Sequence, residues 1–129
     1  PFASEDYLKQ LLAKAVAAGA RDVHIKVGQP PGARVRDSIV YFRLDRVRGE
    51  DTLVVARHLI RDEQIRANLD GLLEYDTSYA VEGLGRFRVN IYRQRGTLSV
   101  VMRAIPAKIP TFEELGAPGM SEQTTQKNR

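Results

Sequence analysis

Two arginines, Arg88 and Arg103, are spaced so that a β-hairpin would bring their guanidinium groups together. The stretch Gly83 to Arg103 alternates apolar and polar residues on either side of Arg95-Gly96. Such a dipeptide between two period-two segments reads as a two-residue hairpin turn. Position 94 then faces 97, Phe87 faces Ala104, Val89 faces Met102 and Ile91 faces Val100, making one apolar face. The other face carries Arg86, Arg88, Asn90, Tyr92 and Gln94, with Asn90 opposite Val101 and Arg88 opposite Arg103. Like charges directly opposite on a sheet cost a few tenths to about 1 kcal/mol. That cost is met if an anion binds between them, because two convergent guanidinium forks suit a phosphate. The plainer reading is a solvated arginine face, or arginines paired with acids elsewhere in the fold. A one-residue slip of register would turn every side chain to the other face.

The charge distribution points to the same segment. The chain has 129 residues and a formal net charge of +4. Residues 1–82 hold 12 basic and 13 acidic side chains; residues 83–112 hold five arginines and Lys108 with no acid; residues 113–129 hold two basic and three acidic side chains. Arg86, Arg93 and Arg95 are therefore expected to add positive potential around Arg88 and Arg103.

Several chemistries lack their residues. There is no cysteine, which removes disulfide and zinc–thiolate sites. His24 and His58 have no acidic cluster around either, a poor start for a metal site. A phosphate-binding loop needs Gly-x4-Gly-Lys followed by Ser or Thr, and none of the five lysines precedes Ser or Thr. Gly83-Leu84-Gly85 is no dinucleotide fingerprint, since Arg88 stands where the third glycine would be and a strand follows. Asp22 with His24, and Asp76 with Ser78, have the spacing of strand alternation and lack the third partner of a catalytic constellation. The chain alone is expected to catalyse nothing. Six positive charges with Tyr92 as one stacking ring are few for a nucleic-acid binder, so no nucleic-acid partner is expected. No apolar run approaches a membrane span and no signal-peptide pattern opens the chain, which makes the cytoplasm the expected compartment.

The elements that must position the arginines can be read in order. Leu8, Leu11, Leu12, Ala15 and Val16 predict a helix over Glu5–Ala18, stopped by Gly19. Val23, Ile25 and Val27 alternate as a strand, Gly28 to Gly32 form a turn, and Ala33–Arg36 and Ile39–Leu44 read as short strands around Asp37-Ser38. Helices follow over Glu50–Ile60 and, with Asp62 as N-cap, Glu63–Leu69. Strands Glu74–Val81, Arg86–Gln94 and Thr97–Ile105 complete an α-β-β-β-α-α-β-β-β order, an α+β domain with an antiparallel sheet. Thr111 to Glu114 fit a capping box, and the residues from Gly116 onward lack apolar periodicity.

Gly19-Ala-Arg-Asp-Val-His-Ile-Lys-Val-Gly-Gln-Pro-Pro31 resembles the GASDLHLxxGxPP opening of the PilT-type ATPases, the type IV pilus retraction (twitching motility) branch of the secretion ATPases. Glu74 to Tyr79, Gly83 to Gly96, Val101 to Pro106 and Pro110 to Gly116 resemble further blocks of that family, in order and at the expected spacing. The resemblance covers roughly residues 6–118. It implies a PAS-like N-terminal domain over residues 1–115, with five to six antiparallel strands and flanking helices, and a linker or disordered tail over 116–129. It further implies a RecA-like ATPase domain that holds ATP and Mg²⁺, homo-hexameric rings, pilus base proteins as partners, and a place at the inner-membrane face of the pilus machine. By motif position, Arg88 and Arg103 would reach the ATP phosphates, with Arg95 and Gln94 carried by the same block. The sequence departs from the family at Arg21, where Ser is usual, at Arg36-Asp37-Ser38, where an Asp-Gly turn is usual, and beyond Pro118. The alternative is a stand-alone PAS-like ligand-sensing or protein-interaction module.

Overall fold

The computed structural model describes residues 1–106. The expected linker over 116–129 and the helix expected from Thr111 lie outside the described residues. Helix α1 (Glu5–Ala17) leads into β1 (Ala20–Ile25), β2 (Gly32–Val35) and β3 (Ser38–Tyr41). Helices α2 (Gly49–Leu59) and α3 (Glu63–Ala67) and a 3₁₀ turn over Leu69–Gly71 precede β4 (Glu74–Val81), β5 (Gly85–Gln94) and β6 (Thr97–Ile105). The six strands form one sheet in the order β3-β2-β1-β6-β5-β4, antiparallel throughout. The α+β expectation therefore holds.

Local chemistry accounts for each helix. In α1, Leu8, Leu11, Leu12 and Ala15 make a buried stripe at helical spacing, while Glu5 and Asp6 favour the positive end of the helix dipole. Gly19 then takes a φ of 83°, a left-handed turn that glycine adopts without strain. Helix α2 opens with the Arg48 amide donating to Asp51 Oδ2 at 2.8 Å and buries Thr52, Val55, Ala56 and Leu59. The buried Thr52 hydroxyl donates to the Gly49 carbonyl at 3.0 Å, so it is satisfied. Asp62 caps α3 as expected, accepting from the Gln64 and Ile65 amides.

Both long helices lie on one face of the sheet, where Val23, Ile25, Phe87, Val89, Ile91, Val100 and Met102 meet Leu8, Leu12, Val55 and Leu59 in one core. The N-terminus is tied in: Phe2 is buried against Tyr7 edge-to-face at 5.0 Å, and its carbonyl is 2.8 Å from His58 Nε2. The Tyr79 hydroxyl donates to Glu5 Oε2 at 2.5 Å, tying β4 to α1. Burial and that hydrogen bond push the Tyr79 hydroxyl well above its usual pKa of 10.0.

Three elements have a boundary two or more residues from the sequence reading. Strand β1 runs earlier than Val23–Val27, since Gly28 turns with a φ of 95° and β2 joins the sheet at Gly32. Strand β3 ends at Tyr41, short of Leu44, and the chain crosses back so that Val47 bridges Val27 in parallel. Helix α3 stops at Ala67, where Asn68 leaves helical geometry and a 3₁₀ turn takes over.

Candidate functional site

The face of the sheet opposite the helices carries the candidate site. Its register was legible: Arg88 is the Cα partner of Arg103, Asn90 of Val101, and Gln94 of Thr97. Arg95 and Gly96 have φ of 54° and 81°, the two positive values that a type I′ hairpin demands. Beyond this hairpin, β6 pairs with β1 so that Asp22 lies opposite Arg103, and β1 pairs with β2 so that Asp22 also lies opposite Arg34. One row across the open face therefore reads Ile39, Arg34, Asp22, Arg103, Arg88, Ser78.

Asp22 is buried at 6 % exposure, and its carboxylate is held between two guanidinium groups. Arg103 Nε donates to Oδ1 at 3.0 Å, and Arg34 Nε is 3.6 Å from Oδ2. The plainer reading of the arginine face thus applies to one member of the pair. Arg103 has an acid partner on β1, whereas Arg88 makes no ion pair to any described residue. The two arginines border a groove of about 370 Å³ with Asp76, Thr77, Val89, Asn90 and Val101. The acid in that lining is engaged, because Asn90 Nδ2 donates to Asp76 Oδ1 at 2.7 Å and lies 3.2 Å from Glu74 Oε2. Arg88, Arg103 and the Asp76 carboxylate thus line one groove.

Gln94 and Arg95 stand elsewhere. They line a separate groove at the far end of the hairpin with Lys26, Val27, Gln29, Thr97 and Ser99. Gln94 lies six steps along β5 from Arg88, about 20 Å at ~3.3 Å per strand residue. The structure brings Arg88 and Arg103 together and leaves Gln94 and Arg95 apart from them.

Arg93 corrects the sequence reading. It was expected to add potential near the pair. Its odd position puts it on the helix-side face with Ile91 and Val89, where it donates to the carbonyls of Leu72 at 2.9 Å, Leu69 at 2.6 Å and Gly96 at 3.0 Å. These carbonyls belong to the 3₁₀ turn and its cap and to the hairpin tip, so Arg93 is a structural staple. Alternation along β5 was the available signal.

His24 is the second residue with a changed meaning. It shares the open face with Asp22, opposite Val101 and Gly32. Burial, reinforced by Lys26 and Arg34 and opposed by Asp22, pulls its pKa below the usual 6.5. Among the described residues no group of three His, Cys, Asp or Glu side chains could hold a metal ion, and no helix is long and apolar enough to cross a membrane.

No family model matches the chain. Over 109 residues it is 35 % identical to the type IV pilus retraction ATPase PilT of Pseudomonas aeruginosa, an alignment covering 84 % of this chain and 31 % of that protein. The type IV pilus ATPase PilU of the same organism is 30 % identical over 112 residues, covering 85 % of this chain and 28 % of PilU. The crystal structure of the pilus retraction motor PilT with bound ADP superposes with a TM-score of 0.69 at 32 % identity, over 85 % of this chain and 32 % of that one. The ATPase DotB of Legionella pneumophila shares the fold, with a TM-score of 0.67 at 21 % identity over 88 % of this chain and 32 % of DotB. The chain spans about a third of the length of the relatives it matches.

Proposed function

We propose, for a chain that is homologous to the N-terminal part of the PilT-type secretion ATPases, that it serves as the nucleotide-facing domain of a hexameric type IV pilus motor. In this reading Arg88 and Arg103 contact the phosphates of an ATP held by a RecA-like ATPase domain, and the domain transmits motion without hydrolysing ATP by itself. The observation that carries the reading is Arg88: a guanidinium directly opposite a second one, on an open groove, with no acid partner among the described residues.

The donor set fits the ligand. Paired guanidinium forks match phosphate oxygens and are more weakly hydrated than lysine ammonium groups, so they surrender water readily to an anion. The described residues supply no carboxylate cluster for Mg²⁺, so the metal is assigned to the ATPase domain. When bound there, ATP with Mg²⁺ supplies the phosphoryl-transfer chemistry. This chain's residues would place fixed positive charge against the phosphates, a role in which a single arginine contributes roughly 10³–10⁵ in turnover in other nucleotide hydrolases. Arg103 is held by Asp22 and Arg88 is left to meet the anion. Gln94 and Arg95 remain weaker candidates, since they would contact something at the other end of the hairpin. The ring would sit in the cytoplasm against the inner-membrane face of the pilus machine, with pilus base proteins as partners.

The test is steady-state ATPase activity of the ring-forming protein carrying Arg88→Ala or Arg103→Ala. The expected result is a loss of at least about 100-fold in turnover, the scale seen on removing one charge-stabilising donor, with the hexamer intact by light scattering. Isolated residues 1–129 should bind ATP only weakly, because half the site lies elsewhere. Unchanged turnover in both variants would refute the role.

A further inference from the structure

On the other side of Arg103 the open face holds a second, larger groove of about 660 Å³. Its charged lining is Arg21, Asp22, Arg34, Arg36, Asp37 and Arg103, with His24 beside them. We infer that this groove is a second anion site, built by Arg21, Arg34, Arg36 and Arg103 for a small ligand bearing a diphosphate group. It goes beyond the nucleotide reading above and shares only Arg103 and Val101 with the Arg88 groove.

Three observations carry it. The first is charge. Four guanidinium groups face two carboxylates, so the groove keeps a positive excess. Asp22 is already committed to Arg34 and Arg103, and no described ion pair occupies Arg21 or Arg36. Two cations at the rim are therefore available to a ligand, on a frame whose floor is neutralised.

The second is backbone conformation. Arg36 has a φ of 58°, a left-handed geometry that disfavours a residue with a Cβ. Val35 pairs with Ser38, so the left-handed geometry belongs to the two-residue turn between β2 and β3, and that turn sets Arg36 at the edge of the groove.

The third is His24. Its Nε2 is buried and has no hydrogen-bond partner among the described residues. Orphaned buried polar atoms are uncommon, and each calls for a partner. A neutral imidazole with its proton on Nε2 donates to an anion, and burial keeps His24 in the neutral form.

A diphosphate suits the site better than a single phosphate. Four guanidinium groups, from β1, β2, β6 and the β2–β3 turn, line the groove, and two linked phosphates offer them more acceptor oxygens than one phosphate does.

The experiment titrates the 129-residue chain with pyrophosphate by calorimetry, while arginine side-chain Nε–Hε resonances are followed by NMR. Wild type should bind two equivalents, the one at Arg88 weakly. Arg21→Ser combined with Arg36→Asn should weaken one of them at least tenfold and spare the other; asparagine tolerates the left-handed turn, and circular dichroism confirms the fold. Arg88→Ala should show the converse. A wild-type stoichiometry of one that disappears in Arg88→Ala would overturn the second site and leave the nucleotide reading standing. A single equivalent that disappears only in the Arg21/Arg36 double variant would support the second site and agree with the weak nucleotide binding expected of the isolated chain. Flotation with vesicles containing a polyprenyl diphosphate separates the sources of the diphosphate. Capture that depends on Arg21 and Arg36 assigns it to a lipid headgroup, and its absence with pyrophosphate binding intact assigns it to a free diphosphate.

Discussion

Asp22 and Arg103 lie across from each other on adjacent strands, and the Arg103 Nε–H is donated to the buried carboxylate at 3.0 Å. This contact explains how a sheet tolerates Arg88 directly opposite Arg103. The acid offsets one of the two charges from the far side, so the repulsion between them is reduced while the outward potential at Arg88 persists.

The two arginines should therefore separate in stability. Arg88→Ala removes a charge with no described ion-pair partner and should leave stability within about 0.5 kcal/mol or raise it slightly. Arg103→Ala strips a hydrogen bond from a buried carboxylate and should cost about 1–3 kcal/mol. Asp22→Asn should cost a similar amount while strengthening anion binding. Urea unfolding of the three variants checks this; equal losses for Arg88→Ala and Arg103→Ala would contradict it.

Arg93 should matter for folding alone. Its guanidinium satisfies three main-chain carbonyls, and removing such a charged, multiply bonded donor leaves acceptors unpaired. Arg93→Ala should lower stability by about 2–3 kcal/mol, and Arg93→Lys, with one compact donor group, should recover part of that. Anion titrations of the surviving folded fraction should match wild type.

Arg95 should be replaceable with a gain. The type I′ turn holds it at a φ of 54°, a position suited to asparagine followed by glycine. Arg95→Asn should raise stability by about 0.5–1 kcal/mol, seen as a higher melting temperature. A fall would mean that Arg95 makes a stabilising contact.

His24 should give the chain an acid limb. Its folded pKa lies below the ordinary 6.5, so the unfolded chain takes up the proton more readily. The stability this contributes is complete above about pH 6.5 and is lost as pH falls through the folded pKa. The unfolding midpoint should drop between pH 7 and pH 5 in wild type, and His24→Gln should flatten that slope. Lys26 and Arg34 disfavour the charged form and Asp22 favours it, so Asp22→Asn should steepen it.

The hairpin was readable residue by residue because its information is local. Arg95-Gly96 set the turn, and period-two alternation set which side chains face together, so the Arg88–Arg103 pairing follows from arithmetic on positions. The α1 stripe of Leu8, Leu11, Leu12 and Ala15 and the Asp62 cap are equally local. The ends of β1, β3 and α3 were not, since each is decided where the chain meets another element: Gly32 joining β1, Val47 bridging Val27, and Arg93 holding the Leu69 and Leu72 carbonyls.

By itself, the sequence determined the α+β order, the hairpin register, the arginine-rich segment and, through its motif blocks, the resemblance to the pilus ATPases. Only the tertiary structure decided what surrounds those arginines. Asp22 and Arg103 are 81 positions apart, and no local pattern marks them as neighbours. Their meeting depends on β1 and β6 lying side by side at the centre of the sheet, which is set by burial of both strands under α1 and α2. Periodicity reports which face a side chain occupies, whereas the charge it finds there depends on which strand is adjacent, and strand order is a property of the whole core.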